Sequence, residues 1–455
     1  MMGDFYPTDA LRHTDFSCSA LVAVEPGAVA YLNFPSVWQI VKINSTLNKN
    51  IFYLALVQGS SYILPLITFP YLVRVLGPEY FGLLGFCQAS MQYLVLLTDY
   101  GFNWTATQQV AKNKDDKNEL TQIFWSVIFS KLMLAVAAFT VLAIVCATVT
   151  QYKNVWYILL AFSPLVIGNI LYPVWFFQGM EKMKWITLCT ISARCLVIPL
   201  TFILVHSPRD VWLAALIQGS VNMIAGLLGF YLIRRRGWLT GFSFDFGRIK
   251  QSLRDGWHVF VSTSAISLYT TSTTVILGFV SGPTAVGYFN AANTIRSAAQ
   301  GLLSPITQAL YPRINTLFNS DYAHAMSLIK KSVRIVGGLA LLGSIAIFIL
   351  APWIIKFGVG ENYNEAITVL RCMAFLPFVV VMSNIFGVQT MLTHNYKKQF
   401  SRILLSGGCL NLIIIYPLVH SFAETGAAIS ILITESVITI FMYFYLRSKN
   451  IYLIK

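Results

Sequence analysis

Eight polar side chains recur every three or four residues inside one apolar stretch: Asn290, Asn293, Arg296, Ser297, Gln300, Ser304, Thr307 and Gln308. At 100° per residue they gather within an arc of roughly 120°. A guanidinium in the middle of such a stripe offers forked donors that match a phosphate. A second stripe, Gln88, Gln92, Asp99 and Asn103, falls within about 60° of arc. Asp99 suits pairing with a cation such as Arg296 or Lys131, or carrying a proton or a sodium ion. Lys131, Arg194 and Arg371 are further cations inside apolar stretches, and Glu435 is a further acid that serves as a proton site or as a basic residue's partner. Arg371 lies near a stretch end, where it can snorkel. The excess of positive charge at these positions selects an anion. A row of Ser262, Ser267, Thr271 and Thr274 is weaker, because Ser and Thr in such helices often bond back to their own backbone.

The elements that hold these residues follow from composition. Of 455 residues, 56% are hydrophobic and 11% charged, with a mean hydropathy of +0.66. Soluble domains are about a quarter charged. The balance excludes a cytosolic enzyme, a secreted domain or a disordered scaffold. The net charge of +14 does not indicate nucleic acid, because the basic residues form short clusters between long apolar runs. Twelve such runs are predicted as membrane-spanning helices: 48–75, 80–112, 120–149, 155–178, 184–205, 210–234, 256–280, 284–312, 331–356, 363–391, 398–420 and 424–446. Each matches the roughly 20 residues that cross a hydrocarbon layer of about 30 Å. Helices satisfy every backbone polar group internally, and the alternation of a membrane barrel is absent.

Alternate connections and both termini carry 24 of the 32 Lys and Arg residues, against four on the opposite face, Arg74, Lys153, Arg209 and Lys356. The excess of positive charge marks the cytoplasmic side and puts both termini there. The chain also repeats. Gly77-Pro78-x-x-x-Gly82 joins spans one and two, and Gly282-Pro283-x-x-x-Gly287 joins spans seven and eight, 205 residues later. Two six-helix bundles of parallel topology, 48–235 and 256–446, around a central cavity are therefore expected. Residues 236–255 form a cytoplasmic linker, where Phe242, Phe244, Phe246 and Ile249 alternate with Arg248, Lys250 and Arg254, as in a segment lying on anionic lipid. Residues 447–455 form a short cytoplasmic tail. Residues 1–47 form an N-terminal tail. Its first 36 residues start acidic and lack the apolar run of a secretory signal, and read as disordered or as a start codon placed too early.

No enzyme or metal motif stands out. The seven cysteines form no CxxC pair, six of them lie in apolar stretches, and the six histidines are scattered. The outward connections are short, which leaves no large external loop for a catalytic site. No cofactor is expected, and no Walker loop is present.

Four runs resemble the Wzx O-antigen flippases: Leu64–Pro78 (LPLITFPYLVRVLGP), Phe176–Trp185 (FFQGMEKMKW), Gly287–Arg296 (GYFNAANTIR) and Met391–Lys398 (MLTHNYKK). The likeness covers about residues 48–446. The resemblance implies a twelve-helix member of the multidrug/oligosaccharidyl-lipid/polysaccharide exporter superfamily in the bacterial inner membrane. It implies transfer of an undecaprenyl-diphosphate-linked oligosaccharide from the cytoplasmic to the periplasmic leaflet by alternating access. Arg296, Arg194 and Lys131 carry over to a cationic cavity, with Asn290, Asn293, Gln300, Gln88, Gln92 and Asn103 as its neutral lining. Asp99 and Glu435 are left for ion coupling or pairing. The O-antigen polymerase and chain-length regulator are the protein partners this implies. An ion-coupled multidrug exporter of the same superfamily is the alternative, and a membrane O-antigen polymerase a more distant one.

Overall fold

A computed structural model describes residues 45–453. The tail expected over residues 1–36 lies outside the described residues. All regular structure among the described residues is helical. The elements are α1 (Ser45–Asp99), α2 (Phe102–Lys112), α3 (Lys117–Thr148), α4 (Thr150–Ala161), α5 (Ser163–Leu171), α6 (Val174–Gly179), α7 (Met183–Leu204) and α8 (Val211–Arg235). They continue with α9 (Phe246–Ser320), α10 (Tyr322–Trp353), α11 (Glu365–Met373), α12 (Leu376–Asn384) and α13 (Lys397–Ser448). Wider π-turns extend α10 over Ile354–Val359 and α12 over Ile385–Leu392. Among the described residues eight helices are long and apolar enough to cross a membrane, or nine if α4 with α5–α6, bent by 46°, make one span.

Three of the long helices are interrupted. Gly77 in α1 sits at φ 70, ψ 174, and Gly282 in α9 at φ 84, ψ 178. Only glycine occupies that region without strain. The proline that follows each glycine disfavours the helical conformation before it and suits the first turn of a new helix after it. The third break is at Ala423 in α13, with φ 45.

The two Gly-Pro breaks pack against each other. A Cβ on Gly82 would fall 1.8 Å from the Pro283 carbonyl oxygen, and one on Gly287 would fall 2.0 Å from that of Pro78. The contacts are reciprocal: each motif's second glycine meets the other motif's proline. Three residues further along, the Asn290 amide lies directly on Gly85. Backbones approach this closely only where side chains are missing.

The core divides along the length of the bundle. At the end carrying the Gly-Pro breaks, one cluster joins both halves, from Val73, Leu76 and Phe86 to Leu277, Phe289, Tyr363 and Val419. At the opposite, basic end the core is split. One cluster there holds Phe102, Phe124, Trp175 and Phe176, and another holds Ile329, Phe386, Phe400 and Met442. Two polar contacts reinforce the joined end. The Tyr363 hydroxyl donates to the Val73 carbonyl at 3.1 Å, and the Arg74 guanidinium donates to the Phe357 carbonyl.

Some boundaries differ from those predicted. The stretch 80–112 is broken by Tyr100 at φ 44 and Gly101 at φ 81. The stretch 155–178 is divided into α4, α5 and α6, with Pro164 and Pro173 opening new turns where no N–H is needed. Helix α9 begins at Phe246, inside the segment read as linker, because the Asp245 carboxylate accepts the N–H groups of Gly247 and Arg248. The linker straps onto α3. Arg248 grips Glu119 at 2.5 and 3.0 Å, Trp125 donates to the Gly241 carbonyl at 2.8 Å, and the Phe242 ring lies 4.8 Å from that of Trp125. Phe242 and Phe244 nevertheless keep 68% and 61% of their surface exposed.

The crossing at Gly82 sets a stability test. Gly82→Ala drives a methyl into the Pro283 carbonyl and should destabilise by about 1–3 kcal/mol, as overpacked sites do. Gly343→Ala, with nothing within 4 Å of its Cβ, should leave the unfolding temperature unchanged or raise it. Thermal unfolding of the purified chains by tryptophan fluorescence compares the two. Equal unfolding temperatures for Gly82→Ala and the parent would show that the crossing is slack.

Candidate functional site

The stripe predicted around Arg296 lies on the part of α9 that follows Gly282. The guanidinium is held by its own helix. Nε donates to Asn293 Oδ1 at 2.9 Å, Nη1 to Gln300 Oε1 at 2.7 Å and Nη2 to the Ser297 hydroxyl at 2.9 Å. The three- and four-residue spacing of these side chains makes the bonds possible. A cavity of about 170 Å³ lies between this face and α1, lined by Ser61, Tyr62, Pro65 and Leu66 on one side and Asn293, Thr294, Ser297 and Ala298 on the other. Nearer the basic end, Gln58 Nε2 donates to Ser304 at 3.3 Å. Glu435 of α13 comes within electrostatic reach of Arg296. The side chains of Gln308, Ser262 and Ser267 lie outside the described residues.

A second cluster gathers Lys131 and Asp99. Lys131 is 1% exposed, and its ammonium donates to Asp99 Oδ1 at 3.1 Å and to the Asn169 carbonyl at 3.2 Å. The Asn169 amide donates to the same Asp99 oxygen at 3.2 Å, and Asn103 Nδ2 donates to the other at 3.2 Å. Lys131 thus faces a carboxylate within the first half rather than an open cavity. Of the two partners that the sequence offered Asp99, the ion pair is with Lys131. Gln88 and Gln92, on the same face of α1 as Asp99, are exposed and stand apart from this cluster.

Arg194 is placed differently. It lies on α7 in the first half, with Tyr172 as its electrostatic neighbour. Its Nη1 is buried without a hydrogen-bond partner among the described residues. The Tyr172 hydroxyl is itself taken up by the Ile186 carbonyl and Thr190. Arg371 stacks over Phe348 at 5.6 Å, in keeping with a snorkelling cation. Asn169, Tyr172 and Gln58 were missed by sequence reasoning. Asn169 and Tyr172 are single polar residues in an apolar stretch, whereas Gln58 shares its helix face with Ser61 and Tyr62, a spacing that could have marked it.

A double-mutant cycle tests the buried pair. Lys131→Met leaves the Asp99 carboxylate facing an apolar group, and Asp99→Asn leaves the buried ammonium without its counter-charge. Removing one partner of a buried pair costs about 3–5 kcal/mol, and somewhat less here because Asp99 retains 30% of its side-chain surface. Asp99→Asn/Lys131→Met together should recover most of that loss in thermal unfolding. Losses that simply add would mean that the two groups do not interact.

The fold recurs in solved transporters. An inward closed structure of the lipid II flippase MurJ superposes with a TM-score of 0.67 at 13% identity, covering 90% of this chain and 89% of that one. An inward-facing multidrug resistance transporter of the MATE family and MOP superfamily gives 0.63 at 15% identity, covering 87% and 98%. Sequence relatives are nearer. A protein of Escherichia coli strain K12 named "Putative O-antigen transporter" is 48% identical over 406 residues, 89% of this chain and 98% of its own length. A protein of the same name from Shigella dysenteriae is 33% identical over 396 residues, 87% of this chain and 99% of its own. Residues 47–318 match the family described as polysaccharide biosynthesis protein, and with relatives this similar along nearly their whole length the chain belongs to that family.

Proposed function

We propose that this chain is a flippase that carries an undecaprenyl-diphosphate-linked O-antigen unit from the cytoplasmic to the periplasmic leaflet of the bacterial inner membrane. The observation that carries the reading is the Arg296 face, a guanidinium dressed in neutral amides and a hydroxyl beside a cavity between the halves. Guanidinium forks suit the diphosphate, and the amides suit sugar hydroxyls. The fold alone is shared with multidrug transporters. The 48% identity to a relative named for O-antigen transport favours the lipid-linked sugar.

In this reading the nine apolar units become twelve spans, because the breaks at Gly77, Gly282 and Ala423 each divide one long helix into an outward-turning hairpin. Two six-helix halves then have both termini in the cytoplasm, and the basic end faces the cytoplasm as the positive-inside rule requires. The joined core closes the periplasmic end and the split core leaves the cytoplasmic end able to open, an arrangement that receives substrate from inside. The linker lies among lipid headgroups, with Phe242 and Phe244 turned to the membrane. Arg194 supplies a second anchor, through a nitrogen that has no other hydrogen-bond partner among the described residues. Gln88, Gln92 and Asn103 line the sugar path, while the Lys131–Asp99 pair holds the first half together. The product emerges where the O-antigen polymerase and chain-length regulator would take it over.

Surface O-antigen in a strain relying on this chain tests the assignment. Losing a charge-assisted bond worth about 1.5–3 kcal/mol, Arg296→Gln should cut export roughly ten- to a hundredfold and leave lipid-linked units facing the cytoplasm. Arg371→Gln, whose guanidinium rides on Phe348, should export normally at equal protein level. Full display with Arg296→Gln would remove the anion site. Unpolymerised units reaching the periplasmic face in a deletion strain would point to a polymerase instead.

A further inference from the structure

The two halves carry their basic-end charges in different ways. In the first half and the linker the Lys and Arg residues sit among six acids, Asp115, Asp116, Glu119, Glu181, Asp245 and Asp255. Several charges there are directly engaged. Lys114 pairs with Glu181 at 2.6 Å, Arg248 with Glu119 at 2.5 Å, and Arg236 stacks on Trp185 at 5.0 Å. The rim of the second half holds Lys330, Lys331 and Arg334 on α10 and Lys397, Lys398 and Arg402 on α13. Among the described residues none of these six has an ion-pair partner within 4 Å. The one acid at this rim, Asp321, is occupied in capping α10 through the His324 N–H at 3.0 Å.

The two basic groups are brought to one rim by an aromatic bridge. His394 Nε2 lies 3.3 Å from the Tyr322 hydroxyl, and the His394 ring stacks on Tyr396 with centroids 5.9 Å apart. This ties the start of α10 to the start of α13. Lys331, Arg334, Lys398 and Arg402 are exposed, so the charge is presented rather than buried. On α10 the basic group gives way to an exposed apolar stripe, Ile335, Leu339, Leu342 and Ile349. At 100° per residue Lys331 lies within about 40° of that stripe's axis. Cations at headgroup depth followed by an apolar face at acyl-chain depth match one kind of molecule, a lipid whose headgroup carries several negative charges.

We propose that the basic rim formed by Lys330, Lys331, Arg334, Lys397, Lys398 and Arg402 is a docking site for the diphosphate headgroup of the polyprenyl lipid before it enters the cavity. This rests on the flippase reading and its topology. The unbalanced charge of the second half draws the diphosphate from the cytoplasmic leaflet, and the apolar stripe of α10 lets the tail remain in lipid. Arg296 then receives the headgroup deeper in the same half. A zwitterionic lipid has no net charge to offer this rim, and a singly charged one engages it less strongly than a diphosphate.

Native mass spectrometry of the full chain in neutral detergent micelles, titrated with undecaprenyl diphosphate, reads the site directly. K330Q/K331Q/R334Q should weaken the apparent Kd by about tenfold and flatten its dependence on salt, because exposed charges are the ones that salt screens. K397Q/K398Q should act in the same direction, guarding against a folding defect of the first variant. Lys114→Gln, in the first half and paired with Glu181 in the parent, should bind as the parent does. Unchanged binding by both rim variants overturns the proposal, as does phosphatidylglycerol displacing undecaprenyl diphosphate at equal concentration, which would mark a general anionic-lipid surface. The flippase reading fails separately. Unchanged O-antigen display in a strain deleted for this chain, alongside weakened lipid binding by the rim variants, would sink that reading and leave the rim as a diphosphate site.

Discussion

The molecule is organised around a crossing where backbone meets backbone. Gly82 and Gly287 carry no side chains, and each receives the carbonyl of the other motif's proline. Any larger residue would separate the two halves at this point. The glycine before each proline lets the chain reverse, and the proline starts the returning helix. One short motif, used twice, thus makes both the turn and the seam between the halves. The continuous core forms around this seam, and the split core lies at the far end. A body joined at one end and divided at the other has a natural place to bend. Its closed end is held by the joined core, by the small residues of the crossing and by two donated hydrogen bonds to backbone carbonyls.

Charge in the interior is handled in two ways. Lys131 and Asp99 neutralise each other and are tied down by Asn103 and Asn169, so the pair is fixed in place. Lys131 is fully desolvated and Asp99 partly so, and moving Asp99 away would leave the buried ammonium without its counter-charge. This argues for a rigid first half. In the second half Arg296 has three neutral side chains as hydrogen-bond partners, and Glu435 acts on it electrostatically.

Much of this was legible in the sequence, and the reason is periodicity. The Arg296 stripe was visible because polar residues at helical spacing stand out in an apolar run. The Gly-Pro repeat was visible because glycine before proline restricts the backbone so strongly, although only the structure revealed that the two copies touch. The partner of Asp99 stayed open because distance along the chain does not say which of Lys131 and Arg296 packs beside it, and packing decided between them. Asn169 was illegible for the same reason, since it joins the cluster across 70 residues and partly through its backbone carbonyl. The start of α9 at Phe246 could have been found from Asp245 ahead of Gly247 and Arg248, but the aromatic and basic alternation of that stretch hid the cap. The break at Ala423 fell between the spans predicted over 398–420 and 424–446, and Gly426, whose Cβ would fall 2.0 Å from the Leu418 carbonyl oxygen, lets the two arms of the turn approach.

The contrast between Arg296 and Lys131 bears on what each can do. A cation whose hydrogen bonds go to a carboxylate gives them up only at the cost of separating two charges. A cation bonded to amides and a hydroxyl loses much less when an anion displaces them, and it gains acceptors that bind roughly twice as strongly. The displaced Asn293, Gln300 and Ser297 do not become orphans, because a sugar diphosphate brings hydroxyls and oxygens of its own. In the proposed flippase, neutral dressing would keep Arg296 soluble within the interior when the site is empty and exchangeable when a diphosphate arrives. It also limits how tightly the substrate is held, since the same side chains compete to take the guanidinium back. A transporter needs both properties, because a site that bound the diphosphate as firmly as Asp99 holds Lys131 would load and never release.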